Sequence, residues 1–438
     1  MSSEWKTFVL RDVASIIGGG TPSTKEATYW DGNIPWLTPK DLSSHTGMYV
    51  KRGERSITKA GLDGSSAKIV PPGTVLFTSR APIGYLAIAE QAISTNQGFK
   101  SLVLNTEQDN RFFYYLLRFH TPDIEAIATG STFKEISGSA LGSFEVTIPS
   151  YGEQTKIADI LTTLDDRIEL LRETNATLEA IAQALFKSWF VDFDPVRAKQ
   201  EGREPEGMDA DTAALFPDSF EESELGLIPK GWNWSTMDSI STVGIGKTPP
   251  RKEPQWFSEN NKDERWVSIR DMGISGVFIS QTSEYLTAES IDRFNVRIIP
   301  GNTVLLSFKM TIGRVSLTVG KMTSNEAIAH FKLDEKSPLT SEYIYLYLKQ
   351  FKYSTLSSTS SIADAVNSKT VKNIPILVAD QSILKAFQNN VSAIFYRIKV
   401  IEEQSQTLTA IRDTLLPRLI SGQLRIPEAE ALIEETTA

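Results

Sequence analysis

An internal repeat constrains the fold of this 438-residue chain more than any other feature of its sequence. Landmarks in the first half recur in the same order in the second half, 227 to 230 residues later. They are Trp5 and Trp232, Thr21-Pro22 and Thr248-Pro249, Trp36 and Trp266, Pro72-Gly73 and Pro300-Gly301, and Asn96 and Asn325. A duplication of this length predicts two similar domains, each with its own hydrophobic core.

Each repeat has the pattern of a mixed domain. Residues 74–79 and 303–308 are rich in β-branched and aromatic side chains between Gly and Pro turns, which predicts strands. Residues 111–120 and 341–353 have helical patterns. The sequence therefore predicts an α+β class with two mixed domains of about 150 residues each.

Each repeat ends in a long apolar stripe with alternating steps of four and three residues. The first stripe is Ile157, Leu161, Leu164, Ile168, Leu171, Asn175, Leu178, Ala182, Leu185 and Trp189. The second is Leu384, Phe387, Val391, Ile394, Ile398, Ile401, Ser405, Leu408, Arg412, Leu415 and Leu419. This spacing, over about five heptads, is typical of coiled-coil helices.

Two polar residues occupy matching positions in these stripes. Asn175 and Ser405 lie 230 residues apart, as do Leu178 and Leu408. A buried polar residue at such a position fixes helix register. We therefore expect the two helices to pair, and a pseudo-twofold relation between the repeats requires an antiparallel pair. The alternative is that each stripe covers its own neighbouring domain.

Charge marks the domain boundaries. The net charge is −9, and residues 192–230 alone hold 11 acidic and 4 basic side chains, which predicts a solvated linker. The predicted segments are a first domain at 1–152, a first long helix at 153–191, the acidic linker at 192–230, a second domain at 231–379, a second long helix at 380–422 and a C-terminal tail at 423–438.

The sequence offers little for catalysis. It has no cysteine, and its three histidines, His45, His120 and His330, are scattered, so we expect them to have structural or solvent roles. Gly244 to Thr248 resembles the end of a phosphate-binding loop, but Ser241 stands where that pattern needs glycine. We predict no catalytic residue, no metal site and no cofactor in this chain.

Two further catalytic patterns are incomplete. Residues 33–36, Asn-Ile-Pro-Trp, resemble an adenine methyltransferase motif with its first proline replaced, and no glycine-rich cofactor loop accompanies them. Pro122-Asp123 lacks the acidic-x-Lys that a metal nuclease requires. No apolar run approaches the ~20 residues of a membrane span. We therefore expect a cytoplasmic protein that makes no contact with a membrane.

Six motifs, taken together and in order, resemble a known family. They are Gly-Gly-Gly-Thr-Pro-Ser at 18–23, Ile-Pro-Trp at 34–36, Glu-Gln-x-x-Ile-Ala at 153–158, Trp-Phe-Val-Asp-Phe-Asp-Pro at 189–195, Glu-Leu-Gly-x-Ile-Pro-x-Gly-Trp at 224–232 and Leu-Leu-Pro-x-Leu-Ile-Ser-Gly at 415–422. With the repeat, this series is similar to the specificity subunit of type I restriction-modification systems.

The resemblance implies a non-catalytic reader of double-stranded DNA. Two target-recognition domains would each recognise one half of a bipartite site, and the paired helices would set their spacing and dock two methyltransferase subunits. Those partners would use S-adenosylmethionine, and translocase-nuclease restriction subunits would complete the complex. The second helix departs from the motif, with Asp380-Gln381-Ser382-Ile383 at its start. The alternative is a two-headed protein-protein scaffold, and the salt dependence of DNA binding distinguishes the two.

Loops between strands supply the candidate DNA-binding residues, chosen as donors to phosphates or as planar groups for base edges. In the first domain these are Thr21, Ser23, Lys40, Arg80, Asn96, Gln97 and Lys134. In the second they are Lys247, Thr248, Arg251, Lys252, Arg270, Lys309, Arg314 and Asn325. The candidates for the helix seam and for partner docking are Ile157, Leu161, Leu164, Ile168, Leu171, Leu178, Leu185, Trp189, Ile394, Ile398, Ile401, Leu408 and Leu415.

Overall fold

The computed structural model describes residues 5–43, 45–80, 82–130, 134–356 and 366–437. The chain divides into two compact units. Unit 1 consists of residues 1–171 and 405–438, and unit 2 consists of residues 172–404. Both boundaries fall inside long helices, so each unit contains one segment of each helix.

Unit 1 is built on a five-stranded and a four-stranded sheet, ordered β2-β10-β7-β8-β4 and β5-β3-β9-β6, with a separate β1-β11 pair. Its strands are β1 (Lys6–Val9), β2 (Ala14–Gly18), β3 (Trp30–Leu37), β4 (Tyr49–Val50), β5 (Arg55–Ile57), β6 (Ile69–Val70), β7 (Val75–Ser79), β8 (Ile83–Ala89), β9 (Ile93–Thr95), β10 (Lys100–Leu104) and β11 (Glu145–Ile148). The predicted strand at 74–79 is confirmed as β7.

Short helices connect these strands, and one longer helix covers the larger sheet. They are α1 (Leu10–Val13), α2 (Pro39–Ser43), α3 (Lys59–Asp63), α4 (Asn110–Ala126) and α5 (Gly138–Gly142). The side chain of Asp109 accepts hydrogen bonds from the amides of Arg111 and Phe112, which fixes the start of α4. The predicted helix at 111–120 is thereby confirmed.

Unit 2 repeats this plan, with sheets ordered β15-β23-β20-β21-β18 and β16-β19-β17-β22 and a β14-β24 pair. Its strands are β14 (Asn233–Thr236), β15 (Thr242–Ile245), β16 (Phe257–Ser258), β17 (Glu264–Val267), β18 (Phe278–Ile279), β19 (Glu284–Leu286), β20 (Val304–Ser307), β21 (Val315–Thr318), β22 (Thr323–Ser324), β23 (Ile328–Lys332) and β24 (Pro375–Val378). The five-stranded sheets have matching order, as a duplication predicts.

The helices of unit 2 occupy corresponding places. They are α9 (Met237–Ile240), α10 (Ile269–Ile274), α11 (Ala288–Phe294), α12 (Ser341–Gln350) and α13 (Ser368–Lys372). The Thr340 hydroxyl accepts a hydrogen bond from the Tyr343 amide at the start of α12. The predicted helix at 341–353 is confirmed, although it ends at Gln350.

The acidic segment at 192–230 is folded, which differs from the solvated linker that its composition predicted. It contains α7 (Asp194–Gln200), α8 (Ala210–Leu215) and a hairpin of β12 (Phe220–Ser223) and β13 (Gly226–Pro229). Val196, Phe216 and Ile228 are buried in the apolar core of unit 2. The high average charge of the segment concealed these inward-facing residues.

Two long helices run through both units. They are α6 (Tyr151–Phe190) and α14 (Gln381–Ile420). In unit 1 the Arg412 guanidinium lies 2.6 Å from the Asp165 carboxylate, and in unit 2 the Asn175 amide donates to the carbonyl of Ile398 at 3.2 Å. The partners follow opposite orders along the two helices, so the helices are antiparallel. The α+β class and the antiparallel helix pair are confirmed.

The C-terminal residues also form structure where the sequence predicted a tail. A final helix, α15 (Ile426–Thr437), follows α14. Leu424 and Ala429 are both buried within unit 1. The burial of these two side chains anchors the C-terminal segment in unit 1, although the segment is otherwise rich in glutamate.

Candidate nucleic-acid interface

Four segments of unit 1 meet at the loop that follows β9. We call residues 20, 37, 79 and 95–98 the first junction. Its main-chain hydrogen bonds run from Gly20 N to Thr95 O (2.9 Å), from Asn96 N to Leu37 O (2.8 Å) and from Ser79 N to Gly98 O (2.7 Å). Because three separate segments hold this loop, its position is closely defined.

Two side chains complete the first junction. The indole Nε1 of Trp36 donates to the carbonyl of Gly20 at 2.9 Å, and the Asn96 Oδ1 accepts a bond from the amide of Gly98 at 2.8 Å. A Cβ atom on Gly20 would clash with the main chain at Ala67, so only glycine fits there. This explains part of the Gly-Gly-Gly-Thr-Pro motif.

Unit 2 contains the same arrangement, which we call the second junction and define as residues 247, 267, 308 and 324–327. Its bonds run from Lys247 N to Ser324 O (2.8 Å), Asn325 N to Val267 O (3.1 Å), Phe308 N to Ala327 O (3.0 Å), Trp266 Nε1 to Lys247 O (3.2 Å) and Ala327 N to Asn325 Oδ1 (3.0 Å). The duplicated landmarks Trp36, Trp266, Asn96 and Asn325 therefore have a common structural role.

Each junction presents a threonine and a longer polar side chain at its surface. The Thr21 hydroxyl donates to the Gln97 amide oxygen, and the Thr248 hydroxyl donates to the Glu326 carboxylate. Gln97 and Glu326 are both exposed. The two junctions thus share one hydrogen-bonded frame but expose different groups, an amide in the first and a carboxylate in the second.

The candidate cations of unit 1 lie on segments that leave the first junction. Arg80 directly follows β7 and pairs with Glu135 at 3.3 Å, while Lys40, at the start of α2, pairs with Glu54 at 3.2 Å. Lys134 is exposed. The neighbouring Ser131 and Thr132, which suggested a polar turn beside Lys134, lie outside the described residues.

Ser23 lies in the same loop as Thr21. Its side chain is exposed, and its carbonyl accepts a hydrogen bond from the indole of Trp30 at 3.1 Å. That bond fixes the main chain of the loop and leaves the Ser23 hydroxyl at the surface.

Arg251 is the most constrained cation of unit 2. Its guanidinium makes two hydrogen bonds to Glu284, of 2.6 and 2.9 Å, and its carbon Cζ lies 4.5 Å from the centre of the Trp266 ring. Because the ion pair is exposed, it contributes about 0–1 kcal/mol to stability. DNA phosphates could therefore replace Glu284 as its partner at small cost.

The remaining cations of unit 2 differ in accessibility. Lys247, Lys252, Lys309 and Arg270 are exposed, and in the described part of the chain none of them forms an ion pair. Arg314 is half-buried and donates to the carbonyl of Ile269 at 2.5 Å, near the start of α10. The four exposed side chains are thus accessible to a phosphate backbone, whereas the guanidinium of Arg314 already forms a hydrogen bond within the protein.

The histidines do not contribute to either junction surface. Burial lowers the pKa of His330 to about 4, with a further contribution from Arg297, and its ring packs against Gly244. His120 pairs with Asp123 at 2.9 Å. Within the described ranges, no group of three His, Asp or Glu side chains could hold a metal ion, and no helix is long and apolar enough to cross a membrane.

Comparison with known proteins decides the family. Residues 2–180 and 229–403 match the model of the type I restriction modification DNA specificity domain. The chain belongs to this family. It is 33% identical to the MjaIX specificity subunit of Methanocaldococcus jannaschii, over 97% of this chain and 94% of that protein. It is also 30% identical to the HindI specificity subunit of Haemophilus influenzae, over 96% of this chain and 100% of that protein.

A solved structure supports the fold of this specificity subunit. The type I restriction-modification S subunit from M. genitalium superimposes with a TM-score of 0.55 at 16% identity, covering 95% of this chain and 96% of that one. Specificity subunits select DNA and do not carry out the chemistry on it. Membership of this family therefore confirms the predicted resemblance, the predicted role in DNA recognition and the prediction that the chain is non-catalytic.

Sequence reasoning missed one exposed residue of this specificity subunit. Glu326 occupies the position in the second junction that Gln97 occupies in the first, 229 residues earlier. The sequence-based choice favoured cations and amides because these groups bind phosphates and bases, and so it passed over a carboxylate. Aligning the two repeats residue by residue would have identified Glu326.

The long helices of the specificity subunit bury most of the predicted seam residues. Those that are buried are Ile157, Leu161, Leu164, Ile168, Leu171, Trp189, Ile398, Ile401, Leu408 and Leu415. Leu178, Leu185 and Ile394 are half-buried. Arg412, which interrupts the second stripe, is only 8% exposed and forms ion pairs with Asp165 and Asp413. In unit 2 the helices also expose Ile181 and Tyr396, which are 51% and 71% exposed.

Proposed function

We propose that each junction surface of this specificity subunit reads one half of a bipartite double-stranded DNA site. The observation that carries the proposal is that one hydrogen-bonded frame is built twice in the chain and displays different side chains each time. A reader of two different half-sites needs this combination, because a rigid frame places side chains at base edges and their identity selects the sequence.

Phosphate contacts come from the exposed cations around each junction. Lys134 serves in the first unit, and Lys247, Lys252, Arg270 and Lys309 serve in the second. Such contacts position the protein on DNA, and their strength falls with salt. The net charge of −9 would oppose DNA binding, and these exposed cations would offset that repulsion locally.

Exchange of one domain tests this proposal. Residues 1–150 are replaced by the corresponding block of a relative with a different target, and the hybrid is expressed with the methyltransferase subunits of this system. We expect one half-site to change and the other to remain, as measured by sequencing the methylated positions of the genome. If both half-sites change together, the units are not independent readers.

We also propose that the long helices set the distance between the two junction surfaces and form the docking site for partner subunits. Two methyltransferase subunits, which bind S-adenosylmethionine, would dock on them, and translocase-nuclease subunits would join the complex in the cytoplasm, where its DNA target lies. Ile181 and Tyr396 support this role, because large apolar side chains exposed on a helix are typical of interfaces.

Charge substitution at these two positions tests the docking role. Ile181→Asp and Tyr396→Asp should abolish co-purification of the methyltransferase subunit, because docking would bury an unpaired carboxylate. Neither change affects the core, so the melting temperature should stay the same. Ala410→Asp, at another exposed position of α14, is the control. Undiminished co-purification of both variants would contradict the assignment.

The two-headed protein-protein scaffold is not favoured by the family to which the chain belongs. The two functions differ in one measurement. DNA binding by the assembled complex should weaken steeply with salt as counterions compete for the phosphates. A scaffold that does not contact DNA would have no such dependence.

A further inference from the structure

The two junctions differ at one exposed position that the repeat makes equivalent. Gln97 follows Asn96 in the first junction, and Glu326 follows Asn325 in the second. Each accepts a hydrogen bond from the threonine of its own junction. Resting on the function proposed above, we propose that Gln97 reads an adenine and that Glu326 reads a cytosine in the major groove.

A carboxylate on a DNA-binding surface needs a specific reason, because the phosphates repel it. Among the described residues Glu326 forms no ion pair, although it is exposed, so it does not serve to neutralise a neighbouring lysine. In its hydrogen bond with Thr248 the carboxylate is the acceptor, and its oxygens offer acceptor sites to other partners as well. A favourable partner for the Glu326 carboxylate on DNA must therefore be a hydrogen-bond donor on a base.

The major groove presents such donors in two forms. Cytosine offers its N4 amino group, and adenine offers its N6 amino group beside the acceptor N7. A carboxylate has no donor for N7 and would be repelled by it, so Glu326 matches cytosine better. An amide has both a donor and an acceptor, so Gln97 matches adenine through paired bonds to N6 and N7.

The frame gives both side chains the fixed placement that base readout requires. The main chain on either side of Gln97 is held by bonds from Asn96 N to Leu37 O and from Ser79 N to Gly98 O. The equivalent bonds around Glu326 involve Asn325 and Ala327. With the main chain fixed and the threonine hydroxyl as a further anchor, few orientations of either side chain remain.

The reciprocal isosteric variants Gln97→Glu and Glu326→Gln test this assignment in the full complex with its methyltransferase subunits. Binding selection from a randomised DNA pool reports the preferred base at every position. We expect Glu326→Gln to change one position of one half-site from cytosine towards adenine, and Gln97→Glu to change one position of the other half-site from adenine towards cytosine. Each variant should lose its original preference by roughly tenfold to a hundredfold.

The controls separate this inference from a general effect of charge. Glu289→Gln alters an exposed carboxylate on α11 and should leave all preferences unchanged. If Glu326→Gln tightens binding equally to all sequences, its carboxylate acts only through charge, and the assignment is overturned. Unchanged base preferences in both variants would overturn it as well. If the wild-type complex enriches no bipartite sequence, the proposed function itself fails.

Discussion

Glu402 makes the stability of unit 2 depend on pH in a defined direction. Its carboxylate, on α14, accepts hydrogen bonds from the amides of Val277 at 2.8 Å and Phe278 at 3.2 Å. Burial raises the pKa of Glu402 from 4.5 to about 7, with smaller contributions from Glu179 and Glu403, although the two amide bonds act in the opposite sense. At pH values between 4.5 and about 7, Glu402 is therefore protonated in the folded protein and ionised in the unfolded chain.

The sign and the size of the effect follow from this difference. Between pH 4.5 and about 7 the folded state binds one more proton than the unfolded state, so the free energy of unfolding decreases as the pH rises. At about 1.4 kcal/mol per pH unit, the whole interval corresponds to about 3 kcal/mol. Glu402→Gln keeps an oxygen acceptor for Val277 and carries no charge. We expect this variant to be more stable than the wild type at pH 8 by about 3 kcal/mol, with the difference vanishing near pH 4.5.

Urea unfolding followed by tryptophan fluorescence measures this difference. Unit 2 holds five of the eight tryptophans, so its transition dominates the signal. The difference in unfolding free energy between variant and wild type is determined at pH 5, 6, 7 and 8. Glu335→Gln, at an exposed position of the same unit, should show no such dependence. A variant-minus-wild-type difference that stays constant from pH 5 to pH 8 would refute the reasoning.

Two further predictions concern the long helices. Asp165→Ala should destabilise unit 1 by about 2 kcal/mol, because the Tyr115 hydroxyl loses its carboxylate partner and the buried Arg412 keeps only its ion pair with Asp413. A double-mutant cycle with Arg412→Met, measured by hydrogen exchange, should show coupling, and additive effects would contradict it. Inserting one heptad after Asn175 and another after Ser405 preserves the apolar stripe and adds roughly 10 Å of helix. Binding selection should then yield the same half-sites with a gap longer by about three base pairs, and an unchanged gap would show that other features set the spacing.

Those features that repeat in the sequence were predicted well. The duplication placed Trp36 and Trp266 at equivalent positions, and both indoles hold the same type of junction loop. The heptads predicted long helices from 153 to 191 and from 380 to 422, and these are present as α6 and α14. Periodicity and repetition can both be read from the order of the residues alone, so predicting them needs no knowledge of tertiary contacts.

Features that depend on distant contacts were not predictable in this way. Arg80 pairs with Glu135, 55 residues away, and Arg412 pairs with Asp165, 247 residues away. Composition was also misleading at 192–230, because an average over the segment cannot distinguish outward acidic residues from the inward Val196 and Phe216. In both cases the tertiary structure determines which residues come into contact. Neither sequence spacing nor average composition contains that information.

The construction of the junctions affects how readily DNA specificity evolves. Their bonds use main-chain groups together with the side chains of one tryptophan and one asparagine in each unit. A substitution at position 97 or 326 removes none of these bonds, so it leaves the folding of its own unit intact. With these two positions reading bases as proposed above, single substitutions there would change the target sequence at little cost to the stability of the fold. A substitution of the tryptophan or the asparagine, by contrast, removes a hydrogen bond that holds the junction loop of its unit.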